Sequence, residues 1–256
     1  MIMEEASFRS AALGRDMPYR VILPGDYKQS KRRYASLYLL HPINAHYNVW
    51  STAKIDGWAR GRGMIVVLPE GEDSWFTNSA SVPGDRFEDY IGHDLIAEID
   101  HRYRTIPAGR ARAIAGLSMG GYGAVKIALK NPRDFVFAGS ISGAFDAPTE
   151  PQNYAAAFAD KLDRVFGPPG SPSRAENDVF VRLEKANPKD LPYFFIACGT
   201  ADGLITINQK FAAQLRSRGV RHEYHEAPGG HDLKLWYHEL PGLFQAASRA
   251  LQRHTK

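Results

Sequence analysis

The stretch Gly116-Leu117-Ser118-Met119-Gly120-Gly121 decides the fold of this chain of 256 residues. It follows a short apolar run, 112–117, and precedes a helix-forming run that ends near Lys130. A G-x-S-x-G segment between a strand and a helix is a tight turn that lifts the serine hydroxyl above the edge of a sheet. Its two glycines let the strand and the helix pass closely, where a β-carbon would clash. We therefore predict that Ser118 is a nucleophile; the alternative is a glycine-rich turn that begins a helix.

Short apolar runs alternate with amphipathic helical stretches on both sides of this segment. The pattern predicts strands at 20–23, 36–40, 64–68, 112–117, 136–141, 192–197 and 223–227, and helices at 52–61, 87–103, 120–130, 207–218 and 233–251, the last interrupted at Pro241. Such alternation indicates an α/β fold, with a mainly parallel central sheet and helices on both faces. Prolines break the alternation from about 144 to 191. We therefore predict one domain, 1–256, with 144–191 as a small cap-like insertion.

Composition excludes several other classes of protein. The net charge is +4, and the basic residues are scattered without a nucleic-acid recognition motif, so no nucleic-acid partner is expected. No apolar run approaches the roughly 18 residues that a membrane span needs. No ligand spacing for a metal is present, and no cofactor is expected. The acidic start of the chain is unlike a signal peptide, which favours a cytoplasmic location unless the chain is a processed exported form. The oligomeric state stays open.

A serine nucleophile needs a general base that a third group orients. In a fold with this turn, the acid and then the base follow the serine along the chain. His231 comes after Pro228-Gly229-Gly230, the loop behind the last predicted strand, and is the predicted base. Asp202, in the loop after the preceding strand, is the predicted orienting acid. A helix-capping role for Asp202 and the rival acids Asp232 and Glu226 stay as alternatives.

Four blocks of the chain carry a resemblance. They are Tyr38-Leu39-Leu40-His41 with Trp50, the segment 116–124, the segment 198–202, and Gly229-Gly230-His231-Asp232 with Trp236. Together they resemble the α/β-hydrolase fold and, within it, the Putative esterase family of esterase D-type enzymes, feruloyl and acetyl-xylan esterases, siderophore esterases and mycolyltransferases. The resemblance covers about 20–243. It implies Ser118, Asp202 and His231 as the catalytic triad.

One position departs from the family pattern. The family usually has His-Gly after the third strand, and this chain has His41-Pro42. In the family, a backbone N–H just past that glycine completes the oxyanion hole, whereas proline has no N–H to donate. We therefore assign the oxyanion donors to the backbone N–H groups of Met119 and Ile43. If Pro42 redirects the loop, the Ile43 assignment fails and His41 supports the loop instead.

The expected substrate is a small-molecule ester. The segment with Trp75 and Asn78 resembles a family segment that borders the active-site cleft, and Phe145 and Trp236 are further candidates for substrate contact. Other aromatic residues of the insertion that fit an acyl pocket are Tyr154, Phe158 and Phe166, with core packing as the alternative for each.

The resemblance implies a serine carboxylesterase that hydrolyses short-chain, sugar or aryl esters through an acyl-enzyme on Ser118. Two alternatives stay open: an acyltransferase of the mycolyltransferase type, and a non-catalytic binding protein with the same fold.

Overall fold

The computed structural model describes residues 2–52, 55–59, 61–155 and 158–255. Their strands form one eight-stranded sheet with the order β1-β2-β4-β3-β5-β6-β7-β8. The strands are β1 Ile2–Ser10, β2 Arg15–Leu23, β3 Ala35–Leu40, β4 Met64–Pro69, β5 Arg112–Leu117, β6 Phe137–Ile141, β7 Tyr193–Gly199 and β8 His222–Ala227. β1 pairs antiparallel with β2, and β2 with β4, while all the other neighbours are parallel. The sheet is therefore mainly parallel, as the strand–helix alternation predicts.

Helices cover both faces of this sheet. They are α1 Ile55–Ala59, α2 Phe87–Asp89, α3 Leu95–Arg102, α4 Met119–Lys130, α5 Ala159–Phe166, α6 Pro172–Glu176, α7 Val179–Lys185, α8 Ile205–Ser217 and α9 Leu233–Thr255. A π-helical turn, Tyr90–Asp94, joins α2 to α3. Within the residues described above, none of the helices combines the length and the apolar character required to cross a lipid bilayer.

Two apolar cores enclose the sheet, one on each face. The first joins the sheet to α3, α4 and α8, and the second joins it to α1 and α9. Alternate residues of β3 serve the two cores: Tyr38 and Leu40 face the first, and Leu37 and Leu39 the second. This double burial explains why the central strands are continuous apolar runs rather than alternating ones.

The parallel register brings the functional loops to one edge of the sheet. Leu40, the last residue of β3, is paired with Gly116 of β5, and Leu117 with Ile141 of β6. Because β3 to β8 run in the same direction, the loops that follow them all leave at this carboxyl edge. Ligand sites in open α/β sheets lie at this edge. The loops after β5, β7 and β8 contain Ser118, Asp202 and His231.

Two elements differ from the sequence expectations. β1 was not predicted, because its residues alternate between exposed and half-buried positions at the edge of the sheet and include few apolar side chains. The prediction that the last helix is interrupted at Pro241 was wrong, since α9 runs without a break from Leu233 to Thr255. A proline removes one backbone hydrogen bond from a helix, yet the packing of a long helix face can outweigh that loss.

The segment 144–191 contains α5, α6 and α7 and packs on the first core. Leu162, Val179 and Leu183 are its buried apolar anchors. Asp146, Tyr154 and Phe158, from its first part, line a cavity together with Ser118 and His231.

Candidate active site

The nucleophile turn lies between β5 and α4. Ser118 has a left-handed backbone, with φ 54° and ψ −115°, and its N–H donates to Ile141 O at 2.9 Å. A β-carbon on Gly116 would lie 2.3 Å from the carbonyl carbon of Gly120. A β-carbon on Gly120 would lie 2.3 Å from Leu40 O. The strained turn therefore requires glycine at both positions, as the G-x-S-x-G motif predicts.

We expect Gly120→Ala to destabilise the protein by roughly 3 kcal/mol or more, with a fall in melting temperature of about 6 °C or more. The added methyl group overlaps the backbone at Leu40, which cannot rotate away. Thermal unfolding followed by circular dichroism measures the shift. Gly242→Ala is the matched control, because its β-carbon would meet Phe195 at an ordinary 3.7 Å. Equal melting temperatures for the two variants would contradict the steric argument.

Three side chains meet above this turn. His231 Nε2 lies 2.9 Å from Ser118 Oγ, and His231 Nδ1 lies 3.1 and 3.0 Å from the two carboxylate oxygens of Asp202. Two backbone hydrogen bonds hold the two loops side by side, from Thr200 N to Ala227 O and from Ala201 N to Gly229 O, each 2.9 Å. The contacts form one connected chain from carboxylate to hydroxyl, the arrangement that activates a serine.

The environment of Asp202 keeps its carboxylate charged. Its burial by itself would raise the pKa, but hydrogen bonds from His231, from the Leu204 N–H and from Ser142 outweigh burial and lower the pKa. Asp202 Oδ1 also accepts the Leu204 N–H at 2.9 Å, in the turn ahead of α8, but the alternative role of helix capping does not hold, since the N-cap of α8 is Leu204 and no side chain caps this helix.

The rival acids are engaged elsewhere. Asp232 Oδ1 accepts the Leu235 N–H at the start of α9, at 3.0 Å. Glu226 Oε1 accepts hydrogen bonds from Gln209 and Tyr224. Neither contact leads toward Ser118.

The predicted oxyanion donors both lie next to the nucleophile. Met119 is the first residue of α4, where a backbone N–H has no acceptor within the helix. Ile43 lines the same cavity as Ser118, and its N–H has no hydrogen-bond acceptor among the described residues. His41 is fully buried below this loop, with Nδ1 2.9 Å from Pro42 O and Nε2 2.9 Å from the Gly71 N.

A cavity of about 620 Å³ opens over the three side chains. Its apolar lining includes Ile43, Trp75, Tyr154, Phe158, Leu204 and Ile207, and its charged lining includes Asp146, Glu150 and Lys210. The segment 144–191 supplies one wall and α8 with its preceding loop another. The described part of the chain contains no cluster of histidine, cysteine or acidic side chains suited to a metal ion.

Comparison with known proteins identifies the family. The model of the family described as Putative esterase matches residues 10–246. The chain belongs to this family. The predictions of an α/β-hydrolase fold and of a serine enzyme acting on carboxylic esters are thereby confirmed.

Two curated relatives show the range of the family. The esterase is 29% identical to an acetyl esterase of Caldicellulosiruptor saccharolyticus, over 97% of this chain and 99% of that protein. It is 30% identical to esterase Rv1288 of Mycobacterium tuberculosis, over 88% of this chain and 54% of that protein. The chain thus spans the acetyl esterase almost completely, but only about half of the mycobacterial protein.

Solved structures agree on the fold. A ferulic acid esterase superposes on this esterase with a TM-score of 0.83 at 26% identity, covering 98% of both chains. FphF, a fluorophosphonate-binding serine hydrolase of Staphylococcus aureus, superposes with a TM-score of 0.87 at 24% identity, covering 96% of this chain and 98% of that chain.

Trp236 of the esterase, a predicted substrate contact, packs against His231 and does not line the cavity. Its ring meets the His231 ring edge-on at 5.3 Å, and its Nε1 donates to Ser142 Oγ at 3.3 Å. Ser142 has φ 53° and follows β6 directly. Sequence reasoning missed Ser142, since nothing in the local pattern signals a left-handed serine beside the acid.

The other predicted substrate contacts divide into two groups. Trp75, Tyr154 and Phe158 line the cavity, whereas Phe145 and Phe166 are buried in the first core. The Phe145 ring packs on Phe211 with 4.6 Å between centroids. The prediction that Phe145 contacts the substrate is therefore wrong. The loop after β6 directs this side chain into the core, where it packs against α8.

Asn78 also requires a correction, because it organises the start of α2. Its Nδ2 donates to Asp89 Oδ1 at 3.0 Å, and its Oδ1 accepts the N–H groups of Glu88 and Asp89. These three bonds occupy the amide at a helix start, and it does not line the cavity.

A buried lysine fixes the position of Trp75. Trp75 and Phe76 both have left-handed backbones, with φ 56° and 49°. Lys126, fully buried on α4, donates to Phe76 O at 2.8 Å and to Thr77 Oγ1 at 2.6 Å, and lies 2.6 Å from Glu88 Oε2. Two consecutive left-handed residues with bulky side chains are costly and persist only where the surroundings impose them. Sequence reasoning read Lys126 only as part of a helix.

Glu70 stabilises the loop that contains Ile43. Its carboxylate accepts the Glu72 N–H at 2.7 Å, and lies 3.2 Å from His46 Nδ1 and 3.5 Å from His41 Nε2. Burial would raise the pKa of Glu70, but the interactions with His41, with the Glu72 N–H and with His46 outweigh burial and lower its pKa to about 2.

This lowered pKa makes the stability of the fold depend on pH. An unfolded glutamate titrates near 4.5 and the folded Glu70 near 2. The unfolded state thus binds more protons between these values, so the contribution of Glu70 is complete above about pH 4.5 and is lost as the pH falls toward 2. We expect Glu70→Gln to unfold more easily than the wild type at pH 7, by on the order of 3 kcal/mol. Urea unfolding at several pH values measures the difference, which should shrink with acid; a difference independent of pH would contradict it.

Proposed function

We propose that this esterase hydrolyses small carboxylic esters through an acyl-enzyme, with Ser118 as nucleophile, His231 as general base and Asp202 as the group that orients the imidazole. The observation that carries the proposal is the unbroken series of contacts from Asp202 through His231 to Ser118, at 3.0 and 2.9 Å. A serine at a strained strand–helix turn, with an imidazole within hydrogen-bond distance, is the arrangement that acyl transfer requires.

The first half of the reaction forms the acyl-enzyme. His231 Nε2 takes the proton of Ser118 Oγ as this oxygen bonds to the ester carbonyl carbon. The carbonyl oxygen becomes an oxyanion, which the N–H groups of Met119 and Ile43 stabilise with the positive end of α4. The ester C–O bond then breaks, and the alcohol leaves with the proton from His231. Asp202 stabilises the imidazolium that forms between these two transfers.

The second half releases the acid. A water molecule gives a proton to His231 Nε2 and attacks the acyl carbon, and the oxyanion forms again at the same donors. Ser118 leaves with the proton from the imidazolium. An alcohol in place of water would give acyl transfer, and a mycolyltransferase of Mycobacterium leprae is among the relatives, at 28% identity over 64% of this chain.

The cavity supports an ester of modest size. A volume of about 620 Å³ lies within the usual range for small-molecule sites. We propose that the first part of the cap-like segment 144–191 closes one side over the acyl-enzyme. The relatives include the acetyl esterase and an endo-1,4-beta-xylanase/feruloyl esterase of Xylanibacter ruminicola, 25% identical over 95% of this chain and 31% of that protein, which supports short-chain and aryl esters as the substrates to test first.

Two measurements test the proposal. A fluorophosphonate probe should label the protein once, and peptide mass spectrometry should locate the adduct on Ser118. Hydrolysis of p-nitrophenyl acetate and butyrate should disappear in parallel with labelling. A protein that is neither labelled nor active would support the non-catalytic alternative. With glycerol added, a large share of glyceryl ester in the products would support acyl transfer in place of hydrolysis.

A further inference from the structure

A buried carboxylate lies in the wall of the active-site cavity. Asp146, in the loop after β6, is 6% exposed and lines the cavity together with Ser118 and His231. The Tyr154 hydroxyl donates to its Oδ1 at 2.6 Å, and Asn153 Nδ2 donates to its Oδ2 at 2.8 Å. Both donors also line the cavity. The mechanism above makes no use of these three side chains.

Among the described residues, no basic side chain forms an ion pair with Asp146. Its side-chain hydrogen bonds within the described residues come from Asn153 and Tyr154, which are neutral. A carboxylate has about four lone-pair positions, so two neutral donors leave acceptor capacity unused. Burying a charge with part of its hydrogen-bonding capacity unused costs free energy. A ligand that donates hydrogen bonds to this wall would recover part of that cost.

Tyr154 adds a second acceptor. Burial, and then the nearby charge of Asp146, raise the pKa of Tyr154 far above its usual value, so the hydroxyl keeps its proton. That proton is directed to Asp146, which leaves only oxygen lone pairs for the cavity. The Tyr154 ring is fixed edge-on against Trp75, at 5.7 Å between centroids and 88° between planes. This wall therefore holds hydrogen-bond acceptors in a fixed position, and it favours a ligand that carries hydrogen-bond donors.

The remaining charges of the cavity indicate which donors fit. Glu150 adds a second carboxylate, which disfavours substrates with a carboxylate or phosphate of their own. Lys210, exposed on α8, lines the same cavity and offsets part of this negative charge. Hydroxyl groups supply hydrogen-bond donors for such a wall without adding a charge to the ester.

We propose that Asp146 determines specificity by accepting hydrogen bonds from hydroxyl groups of the substrate, so that hydroxylated neutral esters react faster than plain alkyl esters of the same size. This inference rests on the proposed function, since it concerns the substrate of the same site. Asp146 acts in binding and takes no part in the proton transfers.

Two matched pairs of esters test the inference. One pair is 2,3-dihydroxypropyl butyrate and propyl butyrate, which differ only on the alcohol side. The other is ethyl 3-hydroxybutyrate and ethyl butyrate, which differ only on the acyl side. We expect kcat/KM of the wild type to favour the hydroxylated ester by about tenfold in at least one pair, the effect of one hydrogen bond to a charged group. The pair that responds shows which side of the ester meets Asp146.

Asp146→Asn should reduce this preference to about twofold or less, because the amide replaces a charged acceptor by a neutral one. Asp134→Asn is the matched control: it removes one carboxylate ahead of β6, at the opposite edge of the sheet, and should keep the wild-type preference. The ratio within each pair is the readout, so a general loss of activity cannot imitate the result.

Wild-type ratios near one in both pairs would overturn the inference, whether or not Asp146→Asn folds. A preference that persists unchanged in a folded Asp146→Asn variant would also overturn it. In either case, hydrolysis of all four esters with labelling at Ser118 would leave the proposed function intact. Failure of the wild type to hydrolyse any ester would instead contradict the proposed function itself.

Discussion

Ser118→Ala is expected to lower kcat for p-nitrophenyl butyrate by about 10³-fold or more and to abolish fluorophosphonate labelling. The variant loses the atom that bonds to the acyl group, while the cavity and the proposed oxyanion donors stay in place. The remaining rate would come from those donors and from substrate binding. A stopped assay at high enzyme concentration, with kcat and KM determined separately, measures the loss.

Ser217→Ala is the matched control for this experiment. Ser217 is an exposed serine at the end of α8, and its hydroxyl donates to Gln214 O at 2.9 Å. The control should keep wild-type kinetics and labelling. More than about a tenth of wild-type kcat in Ser118→Ala would remove Ser118 from its proposed role.

Asp202→Asn is expected to lower kcat by about 10³- to 10⁴-fold, with little change in KM. The amide can donate to His231 Nδ1, which would move the imidazole proton to Nε2. A protonated Nε2 cannot accept the proton of Ser118, although it lies 2.9 Å from the hydroxyl oxygen. The variant also loses the negative charge that stabilises the imidazolium. Steady-state kinetics with p-nitrophenyl butyrate at pH 7 measures the effect.

Asp232→Asn separates Asp202 from its nearest rival. Asp232 is adjacent to His231 in the chain, but its carboxylate accepts the Leu235 N–H and caps α9. This variant should keep its activity and nearly all of its stability, because asparagine caps a helix about as well as aspartate. A loss of kcat as large as that of Asp202→Asn would transfer the orienting role to Asp232.

The fold could be predicted from the sequence where burial leaves a pattern. β3, β4 and β5 are buried on both faces, and each is a continuous apolar run that is visible without coordinates. β1 left no such pattern, because an edge strand covers little of the core. Pro241 was a misleading signal, since it reports a local preference, whereas packing along the whole of α9 determines the helix.

The candidate triad could be predicted from chain order, because the loops that follow parallel strands meet at one edge. Chain order does not reveal buried polar side chains whose role depends on their neighbours in the folded protein. Asp146 and Lys126 have no sequence signature, since their importance depends on which residues surround them after folding. Ser142 depends on a left-handed backbone that serine rarely adopts. Phe145 and Asn78 were assigned to the correct edge of the sheet but not to the correct side of their loops.

The lysine contact between α4 and the Trp75 turn has a consequence for engineering the pocket. Lys126 lies on the helix that begins directly after Ser118, and it holds the carbonyl oxygen of Phe76 at 2.8 Å. The pocket wall and the nucleophile are thereby parts of one rigid unit. A loop grafted from another esterase in place of 74–77 would replace two of the groups that bind the ammonium group, Phe76 O and Thr77 Oγ1, and leave Glu88 as its remaining partner. Exchange of the segment 74–77 should therefore be combined with exchange of Lys126 and Glu88, so that the loop keeps the side chains that hold it.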